Sequence, residues 1–342
     1  MKGLIGVSVE RKLVNAWFQK KLWLWSLLPL SLVFYVLGWF RRKCLKWWFK
    51  TEPYKVPVLV VGNISVGGSG KTPFIIALVN RLEKKGYVVG VVSRGYGGTS
   101  ATYPLIVSAD TSPSLCGDEP LLIATVCKCM VVVDPNRVRA VTTLVDHFSC
   151  DIILSDDGMQ HYCMHRDIEV AVVDVDRGFG NGLMLPAGPL REPISRLKTV
   201  DFVVLNGQSG NQLNLADGPE SYSVSIEPVG LRKFGSDVLI DISQWSLSKQ
   251  VHAVAGIGHP ERFAATLVAM GFDPCLSPKN DHQSLTYADL NFVDSLAVII
   301  TAKDAIKYTG VASENLWVLE VHMSLNDLLI DNICNRAGLI KS

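Results

Sequence analysis

A glycine-rich segment with one lysine and one hydroxyl residue lies in the first quarter of the chain. Val58–Pro73 reads VLVVGNISVGGSGKTP, a β-branched apolar run followed by glycines and by Gly70, Lys71 and Thr72. A strand that enters such a loop, with a helix after it, directs backbone N–H groups at phosphate, while the lysine neutralises charge and the threonine hydroxyl reaches Mg²⁺. The spacing therefore predicts a phosphate-binding loop (P-loop) for a nucleoside triphosphate.

One position of this loop departs from the general pattern G-x-x-x-x-G-K-[ST]. Ser65 stands where that pattern has glycine, and Gly67 and Gly68 follow shortly after it. These two glycines supply backbone that can take positive φ beside the phosphates. The alternative is a Gly-Ser-Gly linker, but the β-branched run before the loop and the helix-like run 74–84 after it favour a strand–loop–helix unit. We therefore keep the P-loop interpretation.

Two carboxylates close a second apolar run, Ile152–Gly158 (IILSDDG). In P-loop folds an acidic residue at the carboxyl end of a strand lies near the Mg²⁺ that the loop hydroxyl also contacts. Asp156 and Asp157 are therefore expected near the same metal ion as Thr72. The alternative is an ordinary Asp-Gly turn, which the presence of a P-loop disfavours.

Candidate proton-transfer groups lie in two further motifs. Asp118 in GDEP precedes a predicted helix and could accept the proton of an attacking hydroxyl, as a kinase requires. The alternative is helix chemistry alone, with an acidic N-cap and proline at N1.

Histidine titrates near neutral pH, so His282 in the pair Asp281–His282 also suits proton transfer. A single histidine is more often structural, and His259 in GIGHP competes for this role.

Three loops each carry an arginine that could face an anionic group. Arg94 follows a strand in SRGYGG, Arg137 begins a predicted helix after DPN, and Arg191 precedes Glu192 in the proline-rich loop LPAGPLREP. A guanidinium on a loop suits phosphate. A surface turn, a solvent contact and loop packing, respectively, are the alternatives.

The first residues of the chain differ in composition from the remainder. Residues 1–55 contain 11 Lys/Arg and 2 Asp/Glu, whereas the other residues contain 22 and 30. Six of the eight tryptophans fall within the first 50 residues. A basic, tryptophan-rich end on an acidic body indicates a membrane surface rather than nucleic acid.

The run Leu22–Phe40 has 19 residues and no charge. As a helix it would extend about 28 Å, close to the roughly 30 Å hydrocarbon core of a bilayer. A signal peptide and a buried core helix are the alternatives, and the long preceding segment and the flanking Trp, Lys and Arg count against them. Pro29 could kink the helix, so a full span and an entry into one leaflet both stay open. Because triphosphates are cytosolic, the body should be cytoplasmic.

Strand and helix patterns alternate after this anchor, which predicts an α/β fold with a P-loop NTPase-like parallel sheet flanked by helices. The polar stretch 206–221 is the expected boundary to a second, smaller α/β domain. We thus expect an anchor with a basic segment (1–55), a P-loop kinase domain (56–206) and a C-terminal α/β domain that closes the cleft (207–342). The eight cysteines show no metal-finger spacing and are expected to be reduced.

Two other nucleotide-binding classes are excluded. A GTPase needs [NT]-K-x-D to read guanine, and in Thr301–Asp304 (TAKD) the lysine and aspartate are adjacent. A dinucleotide enzyme needs G-x-G-x-x-G, and the segment that begins at Gly68 lacks the third glycine.

Taken together, the motifs resemble the tetraacyldisaccharide 4'-kinases, the lipid A 4'-kinases of Gram-negative bacteria. The resemblance covers essentially the whole chain and rests on VGNISVGGSGKTP, VVSRGYGG, GDEP, DPNR, LSDDGMQH, LPAGPLREP, AVAGIGHPERF, the DH pair and TAKDA. Serine or threonine is usual in that family at the position of Ser65. The departure from the general P-loop pattern therefore supports the resemblance.

The resemblance implies transfer of the ATP γ-phosphoryl group to the 4'-hydroxyl of a tetraacylated glucosamine disaccharide 1-phosphate, which gives lipid IV-A. It implies a Mg²⁺-dependent, inner-membrane enzyme whose catalytic body faces the cytoplasm. The partner is the lipid substrate at the membrane and not a nucleic acid, and we expect a monomer. The alternative is a membrane-tethered P-loop ATPase acting on a protein partner or in transport, which would hydrolyse ATP without a lipid acceptor.

The resemblance also implies residue roles. Asp118, assisted by His282, would be the general base, and Lys71 would contact the β- and γ-phosphate oxygens. The implied ATP-binding residues are Ser65, Val66, Gly67, Gly68, Ser69, Gly70, Lys71 and Thr72. The implied metal and transferring-phosphate residues are Thr72, Asp156, Asp157 and Glu192. The implied substrate and phosphate contacts are Arg94, Arg137, Arg191 and His161.

Overall fold

The computed structural model describes residues 12–48, 51–207, 218–280, 283–308, 310 and 314–339. Its strands are β1 (Val58–Gly62), β2 (Val89–Ser93), β3 (Leu105–Val107), β4 (Met130–Val133), β5 (Ile152–Asp156), β6 (Ile168–Asp174), β7 (Phe202–Asn206), β8 (Glu220–Lys233), β9 (Leu239–Ile240), β10 (Gln250–Ala255), β11 (Asp273–Pro278), β12 (Ala297–Thr301) and β13 (Leu316–Ser324). Its α-helices are Leu28–Trp48, Lys71–Lys84, Pro113–Cys116, Asp118–Cys127, Arg137–His147, Pro260–Ala269, Tyr287–Leu290, Ala302–Ala305 and Asp327–Arg336. Shorter 3-10 helices cover Leu22–Leu27, Ile194–Thr199 and Ile242–Gln244.

The chain forms two compact units, and both are discontinuous in sequence. The first contains Met1–Arg94, Asp134–Ser225 and Leu325–Ser342, and the second contains Gly95–Val133 and Ile226–Ser324. This division differs from the continuous domains 56–206 and 207–342 expected above. The segment 95–133 contacts the rest of the second unit through helix Asp118–Cys127, whose Asp118 and Glu119 form ion pairs with Lys303. The local alternation of strands and helices carries no information about partners that lie far apart in the sequence.

A parallel sheet forms the centre of the first unit. Its strand order is β8-β7-β6-β1-β5-β2, with the start of β8 paired to β7. Every residue of β1, β2 and β5 is buried, as expected of strands covered by helices on both faces. Because β5 and β6 lie on opposite sides of β1, the carboxyl end of β1 is flanked by two strand ends, the position where α/β sheets bind ligands. The predicted parallel α/β fold is confirmed.

The second unit is also α/β. Strands β11, β10, β12 and β13 are adjacent and parallel, and β9 pairs antiparallel with the end of β8. Helix Pro260–Ala269 places Phe263 and Leu267 in one core cluster with Val251 and Ile299. Apolar residues at strand and helix spacing therefore produce a second core after residue 226, as the sequence predicts.

The N-terminal segment belongs to the first unit. Residues 12–18 are helical, Leu22–Leu27 form a 3-10 helix, and an α-helix covers Leu28–Trp48. The expected single helix over Leu22–Phe40 therefore changes type at Leu28. Pro29 lies in the first turn of the α-helix, where its missing N–H leaves no hydrogen bond unmade, so it begins this helix rather than kinking it. The stretch Leu22–Leu45 contains an 18-residue window with a mean hydropathy of 1.7 and is long and apolar enough to cross a membrane.

Candidate active site

Residues 65–72 connect β1 to helix Lys71–Lys84 and form the glycine-rich loop. Gly67 and Gly70 have φ values of 105° and 89°, the left-handed region that glycine adopts without strain. Two buried asparagines hold the loop backbone: the Asn63 side chain donates to the Gly67 carbonyl (3.4 Å), and that of Asn206 donates to the Ser69 carbonyl (3.0 Å). The loop conformation is thus fixed from the ends of β1 and β7.

A lysine, a carboxylate and an arginine meet beside the loop. Lys71 Nζ lies 3.3 Å from one oxygen of Asp157, and Arg191 Nη1 lies 3.1 Å from the other. Burial alone would raise the pKa of Asp157, but the charges and hydrogen bonds of Lys71 and Arg191 outweigh it and lower this pKa below its ordinary value. Asp157 is therefore ionised at neutral pH and links Lys71 to Arg191. The structure brings these three predicted residues together.

Arg137 lies below the same sheet edge and is 3% exposed. Its Nη2 donates to the Asp156 backbone carbonyl (2.7 Å), while Nε and Nη1 have no hydrogen-bond partner in the described part of the chain. Burial lowers the pKa of Arg137 to about 10, so the guanidinium stays charged at neutral pH. A buried cation with two unsatisfied N–H groups is a strong indication of an anion site.

His161 lies close enough to two of the predicted arginines, Arg137 and Arg94, for their charges to affect it. Burial, followed by the charges of Arg137, Arg166, Arg41 and Arg94, lowers the pKa of His161 to about 4. The imidazole is therefore neutral at physiological pH and can offer one hydrogen-bond donor and one acceptor.

The predicted metal residues do not form one cluster. Asp156 accepts a hydrogen bond from Ser93 Oγ at 3.4 Å. Glu192 instead accepts hydrogen bonds from Tyr162 and from Gln160 (3.3 Å), and Arg196 Nε lies 3.6 Å from it. Among the described residues, no group of three or more His, Cys, Asp or Glu side chains is arranged to hold a metal ion.

Asp118 lies in the second unit, apart in sequence from the residues above. Helix Asp118–Cys127 begins at Asp118 itself, and the N-cap is Gly117 with a φ of 87°. The alternative interpretation of GDEP, an acidic N-cap with proline at N1, is therefore wrong: glycine is the N-cap, the two acidic residues lie in the first turn, and Pro120 is the third residue of the helix. Asp118 is 5% exposed and lies 3.6 Å from Lys303 Nζ and 3.9 Å from Lys307 Nζ.

The two candidate histidines are placed unequally. His259 is the N-cap residue of helix Pro260–Ala269 in the second unit. His282 lies outside the described residues.

Sequence reasoning missed several groups that shape the site. Buried side-chain atoms without a hydrogen-bond partner in the described ranges include Asn63 Oδ1, Ser69 Oγ, Ser155 Oγ and Asn206 Oδ1, all at the carboxyl ends of strands or in the loop itself. Such atoms are rare in folded proteins, where water, an ion or a ligand usually satisfies them, so these four are candidates for contacts with a polar ligand. A polar residue that ends an apolar strand, as Asn206 ends β7, is the signal that could have identified them.

A parallel α/β sheet whose strand β1 ends in this loop, with a lysine, carboxylates and the buried Arg137 at the same edge, defines a P-loop nucleotide-binding protein. A family model described as "Tetraacyldisaccharide-1-P 4'-kinase" matches residues 23–337. The chain belongs to this family, and the resemblance found in its motifs is confirmed.

Individual relatives agree with this assignment. A tetraacyldisaccharide 4'-kinase of Hahella chejuensis is 42% identical over 335 residues, which cover 96% of this chain and 97% of the relative. A protein of the same name from Ruthia magnifica is 42% identical over 304 residues, 89% of this chain and 94% of the relative. Among solved structures, an "apo" form of LpxK from Aquifex aeolicus in complex with ATP is 29% identical, with a TM-score of 0.78, and the match covers 92% of this chain and 99% of that one.

Proposed function

We propose that this protein transfers the γ-phosphoryl group of ATP to the 4'-hydroxyl of a tetraacylated glucosamine disaccharide 1-phosphate. The observation that carries the proposal is the P-loop lysine paired with Asp157, which also binds Arg191, in a chain that matches this kinase family over nearly its whole length. The same match disfavours a membrane-tethered ATPase acting on a protein or in transport. The named activity of the relatives and the ATP bound by the Aquifex aeolicus structure support the choice of donor and acceptor.

The loop 65–72 would hold the triphosphate. Lys71 would leave Asp157 and bind the β- and γ-phosphate oxygens. These oxygens gain negative charge during the transfer, and the lysine ammonium then interacts with them more strongly than with the carboxylate. Asp157 and Arg191 keep this lysine directed at the loop until the nucleotide arrives. Backbone N–H groups at the start of helix Lys71–Lys84 complete the phosphate contacts.

The residues present fit a Mg²⁺ ion. Mg²⁺ is usually held by one or two carboxylates together with substrate phosphates and water, so a protein cluster of three acids is not required. Asp156 and Asp157 end β5 beside the loop, and Asp157 is ionised and within reach of Lys71. We propose that these two residues and Thr72 hold the ion, which would neutralise charge on the transferring phosphate. Glu192 would act through its bonds to Tyr162 and Gln160.

Asp118 would accept the proton of the 4'-hydroxyl as the oxygen attacks the γ-phosphorus, and ADP would leave. The ammonium groups of Lys303 and Lys307 lie within 4 Å of its carboxylate and stabilise the negative charge that a base needs. His282 would assist. Arg94, Arg137, Arg191 and the neutral His161 would contact anionic groups of the two substrates, because the buried Arg137 and the half-buried His161 lie near other positive charges.

The segment 1–55 would anchor the enzyme in the bacterial inner membrane, with the catalytic body on the cytoplasmic face as a monomer. Within the stretch Leu22–Leu45, only 11% of the 18-residue apolar window is buried in the protein, so most of the side chains of this window are available to lipid. Exposed Trp23, Trp25, Trp39, Trp47 and Trp48 suit the headgroup region. The acceptor's acyl chains could then stay in the bilayer while its sugar hydroxyl meets the enzyme.

The proposal is tested by incubating the purified full chain in detergent with Mg²⁺-ATP and a tetraacylated disaccharide 1-phosphate, and measuring the mass of the lipid. A gain of one phosphate is expected. An unmodified acceptor, in an assay where the Hahella chejuensis relative modifies it, would overturn the proposal. ATP consumption without lipid modification would favour the ATPase.

A further inference from the structure

The proline-rich loop between Met184 and Arg191 is bound to the P-loop by backbone hydrogen bonds. Val66 N–H donates to the Pro189 carbonyl (2.8 Å), and Arg191 N–H donates to the Ile64 carbonyl (2.7 Å). Ser65 and Leu190 form a short antiparallel bridge between these bonds. The start of the P-loop therefore has a partner strand, and any shift of that strand moves Ile64–Val66.

The N-terminal segment holds the other side of this proline-rich loop. Ser31 Oγ donates to the Met184 carbonyl (2.9 Å) and accepts from the Ala187 N–H (3.0 Å). Trp17 Nε1 donates to the Pro186 carbonyl (3.0 Å). Ser31 is 5% exposed and Trp17 4% exposed, although the helix around Ser31 is mostly exposed. All three bonds thus join side chains of the anchor to backbone groups of a single loop.

The anchor also packs against the P-loop directly. Ala16, Trp17 and Leu24 form an apolar cluster with Val66 of the P-loop and Leu185 of the proline-rich loop among its neighbours. A second contact runs through Arg177, whose guanidinium lies 4.2 Å from the centre of the Phe18 ring and fills the space beside Gly67. Residues 16–31 therefore contact the nucleotide loop at Val66 and, through Arg177, at Gly67.

Ser31 does not form the hydrogen bond that is usual for a serine inside a helix. Such a serine usually bonds the carbonyl four residues before it in its own helix. Ser31 instead uses both its donor and its acceptor on the proline-rich loop. Replacement by alanine would leave the Ala187 N–H and the Met184 carbonyl without these hydrogen bonds. The proline-rich loop, which carries both groups, would have to rearrange to satisfy them.

We propose that Ser31 and Trp17 are positioning residues for the nucleotide site. They hold the loop Met184–Arg191, which fixes Ile64–Val66 and carries Arg191 to Asp157. The N-terminal segment then has a role in ATP binding that is separate from its role at the membrane. This inference rests on the proposed function only in that the P-loop binds ATP.

The variants Ser31→Ala, Ser31→Thr and Trp17→Phe test this role in the full-length protein. Ser26→Ala is the matched control, because Ser26 is exposed and its Oγ donates to the Trp23 carbonyl of its own segment. Trp23→Phe controls for Trp17, since Trp23 is 53% exposed. The measurements are the Kd for ATP by calorimetry, the KM for ATP, sedimentation with phospholipid vesicles and the thermal midpoint.

We expect Ser31→Ala and Trp17→Phe to raise the Kd and KM for ATP about tenfold. The reason is that buried polar groups of the proline-rich loop lose their hydrogen-bond partners in these variants. Ser31→Thr should restore both, and vesicle binding should equal that of the two controls. If ATP affinity in Ser31→Ala and Trp17→Phe matches the controls, or if they lose only vesicle binding, the inference is wrong. Because the Kd for ATP needs no acceptor, a failure of the proposed lipid kinase reaction leaves this test intact.

Discussion

At the scale of single residues, the site depends on how charges are balanced around the P-loop. Lys71 is paired with an ionised carboxylate, while Arg137 keeps two buried N–H groups without a partner among the described residues. A paired lysine can be redirected to phosphate at little cost, and an unsatisfied arginine gains a full complement of hydrogen bonds when an anion arrives. Both residues are therefore prepared for a polyanionic ligand.

Lys71→Ala should lower kcat by a factor on the order of 10² to 10³, because the ammonium interaction strengthens as charge builds on the transferring group. Lys84→Ala, at the exposed end of the same helix, should have no effect. Steady-state kinetics with saturating ATP measures both. Equal turnover in the two variants would show that the loop is not the site of phosphoryl transfer.

His161 predicts a pH dependence of stability. Its pKa falls from 6.5 to about 4 on folding, so the unfolded chain binds more protons between these values and stability is lost as the pH falls from about 6.5 towards 4. His161→Gln should lose less thermal stability between pH 7 and pH 5 than the parent. His147→Gln, an exposed histidine on a first-unit helix, should behave like the parent in thermal unfolding at both pH values. Identical slopes for all three proteins would contradict the burial of an uncharged imidazole.

At the scale of elements, strand ends and the segments that bind them fix the loop. Helix Arg137–His147 begins at Arg137, where the sequence predicts a helix after DPN, because a continuous periodic run starts there after polar residues. Strand β8 extends over Glu220–Lys233 and begins within the polar stretch 206–221 that was expected to be a boundary. Its exposed residues include Glu220, Ser221, Glu227 and Lys233, so pairing with β7 and β9 rather than local hydrophobicity alone extends it.

The Asn206 side chain illustrates what local pattern could not supply. It was predicted only as the boundary of a polar stretch, but its amide holds the Ser69 carbonyl across the sheet. The bond joins residues 137 positions apart, and no periodicity encodes such a pair. The same reason explains why Ser31 and the partners of Glu192 were missed.

Asn206→Ala should therefore raise the KM for ATP about tenfold with little change in kcat, because it loosens the loop without removing a group that contacts the reacting atoms. Asn335→Ala, on the exposed surface of helix Asp327–Arg336, is the matched control. Titration of initial rates with ATP distinguishes the two. A fall in kcat at unchanged KM would mean that Asn206 acts in the chemical step.

At the scale of the whole molecule, the predicted machinery is divided between two units. Lys71, Asp157 and Arg137 belong to the first unit, whereas Asp118 with Lys303 and Lys307 belongs to the second. The sequence predicted the α/β nature of both units but not their discontinuity, because residues 95–133 continue the strand–helix alternation of the first unit. Nucleotide binding and proton acceptance should consequently be separable by mutation.

Asp118→Asn should lower kcat for lipid phosphorylation by a factor of about 10² to 10⁴, the usual contribution of a general base, while the Kd for ATP stays unchanged. Glu119→Gln, the neighbouring carboxylate that also pairs with Lys303, controls for a loss of charge at this helix start. Calorimetry and lipid phosphorylation rates measure the two effects. A weakened ATP affinity in Asp118→Asn alone would place this residue in nucleotide binding instead.

The most direct test of the central claim follows the fate of the γ-phosphate. The full chain in phospholipid vesicles receives ATP labelled at the γ-position together with the tetraacylated disaccharide 1-phosphate, and lipid and aqueous phases are then separated. We predict label in the lipid with wild-type protein and a rate of labelling lower by a factor on the order of 10² to 10³ with Lys71→Ala. Label recovered only as inorganic phosphate, at the same rate with and without the acceptor, would contradict it.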